Sequence, residues 1–475
     1  MRFSPKINQP FRALPLGALV TAAVIAAAFG FSLAANLPGH LSYDSVIQLY
    51  EGRTGAYGGW HPPVMSWLLG VADAIQPGTA LFVIFDTALL YGAMLSLIAI
   101  PTRASLVAAV VALAAAALPQ FLIYPGLVWK DVLFAHASIA GFICLAHVAA
   151  QWKRPWRRGA LIGASTLFFV LATLARQNGI LMLLAGASGL GWIAATQVDT
   201  RKRREALVYG GGVLLLAMLA VLAANIALDL RKVGDDGAMA QIRLLDIYDI
   251  AGMKKAEPSL VLGQLDRHEP DLSDAVSRVG VKLYTPVRND RMAASPVIKA
   301  ALAEASPSAV FRQWRDLIAF HPWLYLKIRW AVFWQVFATP DIALCVPYVV
   351  GIDGPALQMK KLGLAERDDD RDDALDSYAS SLEGTPVYSH VLYFVLALAC
   401  QFVLVRRRRP ADLAFVALFA GMLFFTASFF VISIACDYRY LYCDDLTAVM
   451  TLFYLALEPR WIKHAARKPL SRQGG

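Results

Sequence analysis

Ten apolar runs, each long enough to cross a lipid bilayer, constrain the fold of this chain more than any other feature. A helix needs roughly 20 residues to span about 30 Å of hydrocarbon, and 58% of the 475 residues are hydrophobic. The sequence therefore predicts an all-α polytopic membrane protein with about ten transmembrane helices. The predicted spans cover residues 14–33, 79–100, 104–124, 132–150, 159–175, 179–197, 207–228, 387–405, 411–434 and 443–459.

The basic residues, which give the chain a net charge of +9, indicate its orientation. Clusters at 151–158, 201–204 and 406–409 lie beside predicted spans. We interpret them as contacts to anionic headgroups of the bilayer and predict no nucleic-acid partner. With both termini in the cytoplasm, all three clusters lie inside. The positive-inside rule thus predicts a multi-pass protein of the inner (plasma) membrane whose short outer loops carry only Arg53, Lys130, Arg176 and Arg439.

Charge and hydropathy divide the chain into three parts. Residues 1–228 form a predicted N-terminal transmembrane core, whose first outer loop covers 34–78. Residues 387–475 hold the last three spans and a cytoplasmic tail. Between them, residues 229–386 mix charged, proline-containing and amphipathic stretches. This segment is long enough for a small extracytoplasmic domain of its own.

Two stretches of that outer segment have competing interpretations. Residues 321–337 are apolar and aromatic but short, and they contain Lys327 and Arg329. We predict that this stretch is a helix lying in the membrane interface instead of crossing it. The acidic run at 366–376 matches no calcium-loop spacing. A solvated acidic loop is therefore favoured over a metal site.

The five cysteines show no metal-ligand spacing. Cys345, Cys436 and Cys443 are predicted to face an oxidising compartment, where one disulfide can form. The sequence leaves the pair open.

The first outer loop holds the densest group of candidate functional residues. Asp44 is followed by an aromatic residue, a histidine and two prolines at 60–63. Proline cannot continue a helix but starts one well. His61 is therefore predicted to precede a short helix over 64–75 and to point into the space that the loop encloses. We interpret the loop as part of a site; an ordinary interfacial loop with an aromatic belt is the alternative.

Four clusters of polar residues are predicted to share the outer face, each where a span meets the surface. Lys and Arg side chains gathered by converging helix ends suit a phosphate or diphosphate. Asp44 is then the acid left to act as a base. The clusters are Asp44 with His61, residues 127–131 (LVWKD), residues 175–179 (ARQNG) and residues 437–440 (DYRY).

Each cluster also has a purely structural interpretation, which the sequence leaves open. Asp86, inside the second predicted span, is an intramembrane acid of the kind that is usually paired or functional. The structural interpretations are capping of the fourth span by Asp131, snorkelling of Lys130, a backbone contact from Arg176, an ion pair between Asp437 and Arg439, and an interfacial His61 without a role.

The order of these motifs, and the side that they share, carry a family resemblance. The chain resembles the GT-C superfamily of membrane glycosyltransferases that use polyprenyl-phosphate sugars, including the protein O-mannosyltransferases and the lipid A aminoarabinose transferases. The resemblance covers spans one to six and the last two. The matching residues are Asp44, Trp60-His61-Pro62-Pro63, Trp129-Lys130-Asp131, Arg176-Gln177-Asn178-Gly179 and Asp437-Tyr438-Arg439-Tyr440-Leu441.

The resemblance implies a fold, an activity and site residues. The implied enzyme is a GT-C-type hexosyl- or pentosyltransferase. It would move a sugar from a polyprenyl-phosphate donor to an extracytoplasmic hydroxyl of a lipid, glycan or protein. Asp44 is expected as the base, with His61 as the second catalytic candidate. The donor phosphate is expected on Lys130, Arg176 and Arg439, with Asp131, Asn178, Asp437 and Tyr440 in support.

Two departures from the family pattern limit what the resemblance implies. Many relatives carry a second acid directly after the first, whereas Ser45 follows Asp44 here. A divalent metal is therefore left open as a cofactor. The long outer segment lies between spans seven and eight instead of at the C-terminal end, so acceptor recognition does not transfer.

A function from another class also fits a membrane protein of this kind. A non-enzymatic transporter, or flippase, of a lipid-linked sugar would need a polar path through the spans. The predicted spans offer little beyond Asp86 and Gln120 for such a path.

Overall fold

The computed structural model describes residues 15–101, 104–197, 203–233 and 237–459, and regular secondary structure within these ranges is helical. The basic cluster at 201–204 lies partly outside them, and the N- and C-terminal basic residues lie wholly outside. The N-terminal half contains α1 (Leu16–Asn36), α2 (Tyr43–Thr54), α3 (Pro63–Ile75), α4 (Ala80–Ser96), α5 (Leu106–Ala116), α6 (Pro119–Leu122), α7 (Lys130–Ala150), α8 (Pro155–Ala175), α9 (Ile180–Gln197) and α10 (Arg203–Asp229).

The outer segment and the C-terminal spans follow in chain order. They contain α11 (Gly237–Ala256), α12 (Gly263–His268), α13 (Pro270–Ala275), α14 (Val281–Leu283), α15 (Asp290–Ala294), α16 (Pro296–Glu304), α17 (Pro307–Phe320), α18 (Pro322–Ala338), α19 (Ala356–Leu362), α20 (Asp370–Ser380), α21 (His390–Arg407), α22 (Asp412–Ile432) and α23 (Tyr442–Leu457).

The predicted multi-pass architecture is confirmed by the length and composition of these helices. Within the described ranges, nine helices are long and apolar enough to cross a membrane, and a bent pair, α5 with α6, makes ten if it counts as one span. The third predicted span, at 104–124, is therefore not straight, because it bends by 85° between α5 and α6. Pro119 lacks an N–H and holds Leu118 in extended backbone, which ends the helix there.

α7 and α23 form the centre of the helix bundle. α7 packs against α4, α8, α22 and α23 and is almost wholly buried, and α23 is nearly as enclosed. α10, by contrast, exposes most of its surface. α7 and α23 begin at the same end of the bundle, where Asp131 of α7 lies 3.6 Å from Arg439 in the turn before α23.

The outer segment contains a second hydrophobic core, formed by residues between 247 and 332. Arg329 of α18 lies inside it, with its Nη1 3.0 Å from Asp249 Oδ1, and both side chains are fully buried. The same guanidinium donates to the carbonyls of Phe430 and Val431 at the C-terminal end of α22. The predicted interfacial helix is thus a 17-residue helix tied to the end of a span; its position relative to a bilayer stays a prediction.

The acidic run at 366–376 is not a solvated loop, and that prediction is wrong. Asp369 accepts hydrogen bonds from the N–H groups of Arg371 and Asp372 and caps α20. Asp372 is buried and accepts from Arg367 Nε at 2.8 Å. Carboxylates favour the N-terminus of a helix because unpaired N–H groups and the helix dipole are there. The run is therefore a helix start.

A disulfide links the outer segment to the loop before the last span. The open choice among three cysteines resolves to Cys345 with Cys436, whose Cα atoms are 5.1 Å apart, while Cys443 is free and buried. Cys436 directly precedes Asp437, so the crosslink ties the DYRY motif to the outer segment.

The two helices of the first outer loop cross closely. A Cβ atom on Gly52 of α2 would overlap the carbonyl oxygen of Ser66 in α3, and one on Gly70 would overlap that of Gly52. Only glycine permits such an approach. The predicted helix over 64–75 is confirmed as α3, which begins at Pro63 and leaves His61 just before it.

Candidate active site

The four predicted clusters converge at one end of the helix bundle. Asp44 lies in the first turn of α2, and His61 lies in the loop before α3. Lys130 and Asp131 begin α7, Arg176 ends α8, and Arg439 lies in the 3-10 turn Tyr438–Leu441 that opens the last span. Every one of these residues is at a helix end or in a turn next to one. Residues from separate loops therefore share one small volume.

Arg439 is the centre of the cluster. Its Nη2 lies 2.9 Å from Asp44 Oδ2 and 3.2 Å from Asp437 Oδ2, and its Nε lies 3.6 Å from Asp131 Oδ2. Its guanidinium carbon lies 4.9 Å from the centre of the Trp129 ring, a cation–π distance. The side chain is only 15% exposed. The ion pair between Asp437 and Arg439 is thus present, and it is one of three ion pairs that Arg439 makes.

Arg176 and Asp131 form a second, more deeply buried pair, in which Arg176 Nη1 contacts Asp131 Oδ1. Asp131 is only 1% exposed and makes no capping hydrogen bond, so helix capping does not describe its role. The Arg176 guanidinium faces three rings at 5.2–5.7 Å, those of Phe425, Phe429 and Tyr440. A carboxylate and aromatic rings, instead of loop backbone, surround this guanidinium.

His61 lies between an acid and an amine. Its Nδ1 is 3.4 Å from Lys130 Nζ, and its Nε2 is 3.6 Å from Asp44 Oδ1. Because a lysine ammonium can only donate, Nδ1 is the acceptor and Nε2 carries the hydrogen that faces Asp44. Burial, together with the charge of Lys130, lowers the pKa of His61 to about 4. The imidazole is therefore neutral at physiological pH.

Asp44 is the most exposed carboxylate of the cluster, at 30%, compared with 14% for Asp437 and 1% for Asp131. Burial opposes its ionisation, but the charge and hydrogen bond of Arg439, together with the charge of Lys130, outweigh burial and hold the pKa of Asp44 below its usual value. Asp44 is thus ionised at neutral pH. It is the acid most open to an incoming molecule.

Lys130 differs from the two arginines in its surroundings. Among the residues that the structure describes, no carboxylate lies within 4 Å of its Nζ, and its polar neighbour is the neutral imidazole of His61. Arg176 and Arg439 already have acidic partners. A bound phosphate would therefore find in Lys130 the cation whose charge is least neutralised.

The other three supporting residues, Asp437, Asn178 and Tyr440, contact side chains outside the four clusters. Asp437 also accepts from Arg288 Nη2 at 2.7 Å, and Asn178 donates to Ser428 Oγ at 3.0 Å. Tyr440 stacks on Phe429 with ring centres 5.5 Å apart. Sequence reasoning missed Arg288, because it lies far from every span and no motif marks it.

The side chains of Asp86 and Gln120 contact polar groups on neighbouring helices. His136 Nδ1 lies 3.1 Å from Asp86 Oδ1, and His136 Nε2 lies 2.9 Å from the Tyr442 hydroxyl. Gln120 donates to the Tyr438 hydroxyl at 3.0 Å. These side chains are fully buried and contact one another. Sequence reasoning missed their partners, because each partner comes from a distant span.

The side chains of the site offer a poor set of metal ligands. Within the described ranges, no three His, Cys, Asp or Glu side chains are grouped to hold a metal. Asp44, the most exposed carboxylate of the cluster, is already paired with Arg439. These residues do not fit a resident divalent cation, and no step below depends on one.

The solved structures that resemble the chain include two oligosaccharyltransferases, whereas no family model and no curated protein matches it. One is the archaeal oligosaccharyltransferase AglB from Archaeoglobus fulgidus in complex with an inhibitory peptide and a dolichol-phosphate. It is 12% identical with a TM-score of 0.42, and the match covers 96% of this chain and 52% of that one. The other is the oligosaccharyltransferase of Archaeoglobus fulgidus in the apo form. It is 15% identical with a TM-score of 0.41, and the match covers 95% and 53%. Both are oligosaccharyltransferases.

The chain spans about half the length of each of these two structures. At such low identity no residue role is carried over, so the chemistry has to follow from the side chains of the site itself.

Proposed function

We propose that this protein is a membrane glycosyltransferase that moves a sugar from a polyprenyl-phosphate donor to an acceptor hydroxyl outside the cytoplasm. The observation that carries the proposal is an ionised, partly exposed carboxylate, Asp44, within one cluster that also holds Lys130, Arg176 and Arg439. Glycosyl transfer from a lipid phosphate needs a base for the acceptor and positive charge for the departing phosphate. The inner membrane location and cytoplasmic termini are part of the proposal.

The donor phosphate would bind first to Lys130, because this cation has no acidic partner among the described residues. Arg439 is the second ligand, and it would have to share its guanidinium between the phosphate and Asp44. Arg176 is more enclosed and contributes its charge through the pair with Asp131. Charge-assisted hydrogen bonds of this kind are among the strongest in proteins.

A groove beside the cluster suits the polyprenyl tail. It lies between α9 and α22, has a volume of about 400 Å³, and starts near the Asn178–Ser428 hydrogen bond. Several of its side chains are exposed on the side of the bundle, where lipid would be. The lining residues are Leu181, Leu184, Ala185, Ser188, Gly189, Trp192, Val416, Ala417, Ala420 and Phe424.

The reaction is a single displacement at the anomeric carbon. The acceptor oxygen forms a bond to that carbon, the bond to the phosphate oxygen breaks, and its electron pair leaves with the phosphate. The acceptor proton passes to Asp44, and Lys130 and Arg439 stabilise the charge that develops on the phosphate. When phosphate draws Arg439 away, the pKa of Asp44 should rise towards its usual value. Donor binding would then make Asp44 a stronger base.

His61 positions this base. Its Nε2–H faces Asp44 while Lys130 holds its other nitrogen, so the ring orients the carboxylate without carrying charge itself. Substituting His61 with alanine should therefore slow transfer less than removing Asp44.

A transfer assay in proteoliposomes distinguishes this proposal from a transporter. Purified protein would receive a radiolabelled polyprenyl-phosphate sugar and a membrane extract as acceptor source. We expect label to leave the lipid fraction and polyprenyl phosphate to accumulate. Label that crosses the bilayer while it stays on the lipid would instead establish translocation. Mass spectrometry of envelope lipids, glycans and proteins with and without the gene would then identify the sugar.

A further inference from the structure

A second concave, strongly basic region lies at the opposite end of the bundle from the candidate active site. α7 begins with Lys130 at the site and ends with Ala150 at this region. At 1.5 Å per residue, its 21 residues separate the two by roughly 30 Å. The cavity has a volume of about 670 Å³. It is therefore separate from the site of the proposed sugar transfer.

Positive charge dominates the walls of this cavity. Its lining contains Lys153, Arg154, Arg157, Arg407 and Arg409, and Glu458 is the acidic residue that lines it within the described ranges. Glu458 pairs with Arg409, and Asp412 pairs with Arg407.

Three of the five cations keep their charge available. Lys153, Arg154 and Arg157 are exposed, and none of them has a carboxylate within 4 Å among the described residues. Arg157 makes one contact of 3.4 Å, to the side chain of Gln151. The cavity thus presents three uncompensated positive side chains.

The basic residues of this cavity come from two segments that lie far apart in the chain. Residues 151–157 run from the end of α7 into the first turn of α8, and residues 407–411 run from the last residue of α21 to the start of α22, some 250 positions later in the chain. Charge that serves only to set topology has no need to converge on one hollow. α8 also starts here with Pro155 as its first residue, so the N–H groups of its first turn add positive potential.

The cavity wall also contains apolar and aromatic surface. Trp152, Tyr454, Ile100 and Leu457 line it beside the cations. A ligand with an anionic head and an apolar body suits such a mixture, and basic pockets between transmembrane helices bind lipid headgroups in this way. We propose that this cavity binds the phosphate headgroup of an anionic phospholipid from the adjoining leaflet. The site is independent of the proposed catalytic function.

Lipid titration of the purified full-length protein tests the assignment. Thermal unfolding in detergent would be followed with phosphatidylglycerol, with phosphatidylcholine, with a polyprenyl monophosphate and with inorganic phosphate. We expect saturable stabilisation by phosphatidylglycerol and little by phosphatidylcholine. The variant Arg154→Gln/Arg157→Gln should weaken phosphatidylglycerol binding about tenfold or more, because charge-assisted contacts are lost.

A matched variant controls for general loss of charge. Arg406→Gln/Arg408→Gln removes two exposed positive charges from the same end of the bundle, but neither residue lines the cavity. It should leave phosphatidylglycerol affinity unchanged, and Arg154→Lys/Arg157→Lys should retain most of it. Equal weakening by both glutamine variants would overturn the assignment. So would stabilisation by phosphatidylcholine to the same extent, or binding of polyprenyl monophosphate or free phosphate in place of phosphatidylglycerol.

Discussion

Replacement of Asp44 by asparagine tests the proposed chemistry most directly. The change keeps the size of the side chain and its acceptor oxygen towards Arg439 but removes its basicity. Arg439 keeps two carboxylates, Asp437 at 3.2 Å and Asp131 at 3.6 Å, so it does not become a buried unpaired charge. Because the Asp44 pair is partly exposed, its loss should cost about 1 kcal/mol of stability or less. The folded site should therefore persist.

The expected effect on the chemical step is much larger. General base catalysis contributes about 10²–10⁴ in rate, which is about 2.7–5.4 kcal/mol of activation free energy. Donor binding should survive or tighten, since a neutral amide at this position no longer repels the phosphate from Lys130 and Arg439. Turnover should therefore fall while donor affinity does not, and the two quantities would be measured on the same purified preparation.

A second acid of the same helix provides the control. Glu51 lies two turns beyond Asp44 and accepts from Ser66 Oγ at 2.6 Å and from the Gly58 N–H at 2.9 Å, away from the cations. Glu51→Gln should keep the transfer rate per folded molecule. Near-normal transfer by Asp44→Asn would refute the base assignment. Loss of both donor binding and sugar transfer would show that Asp44 organises Arg439 and does not accept the proton.

Three further predictions follow from the same geometry. Arg176→Ala should lower the free energy of unfolding by about 1–3 kcal/mol, because Asp131 loses its closest counter-ion and keeps only Arg439 at 3.6 Å. Arg176→Lys should lower the free energy of unfolding by less, because it keeps the positive charge. If both variants unfold in detergent at the same temperature as the wild type, the Arg176–Asp131 pair does not stabilise the fold. Because the pKa of His61 is lowered to about 4, the ring stays neutral as the pH falls from 7 and protonates only near pH 4. Sugar transfer should therefore decline only as the pH approaches about 4. An acid limb near the ordinary histidine pKa of about 6.5 would contradict this. Single cysteines at Thr54 and Ser380 should react with an impermeant maleimide on intact cells, and one at Arg406 only after permeabilisation. Protection of Ser380 alone would mean that the outer segment crosses the membrane.

The spans and the first-loop helix were predictable because each depends on a local property of the chain. A run of apolar residues is recognised from composition, and Pro62 with Pro63 marks the start of α3 in any context. The same local rules failed at the acidic run 366–376, because several carboxylates in a row resemble a solvated loop until the capped helix start is seen. They also failed to show the bend at Pro119, which lies inside an otherwise uniform apolar run.

The sequence alone determined which residues stand at the ends of the spans and therefore that Asp44, Lys130, Arg176 and Arg439 could meet. Only the tertiary structure decided which of them pair. Asp44 and Arg439 are 395 positions apart, and their contact depends on how α7 and α23 pack at the centre of the bundle. Packing left Lys130 without an acidic partner among the described residues, whereas both arginines have one. Hydropathy is a sum over neighbours in the chain, while an ion pair depends on distances of a few ångströms between segments that only folding brings together.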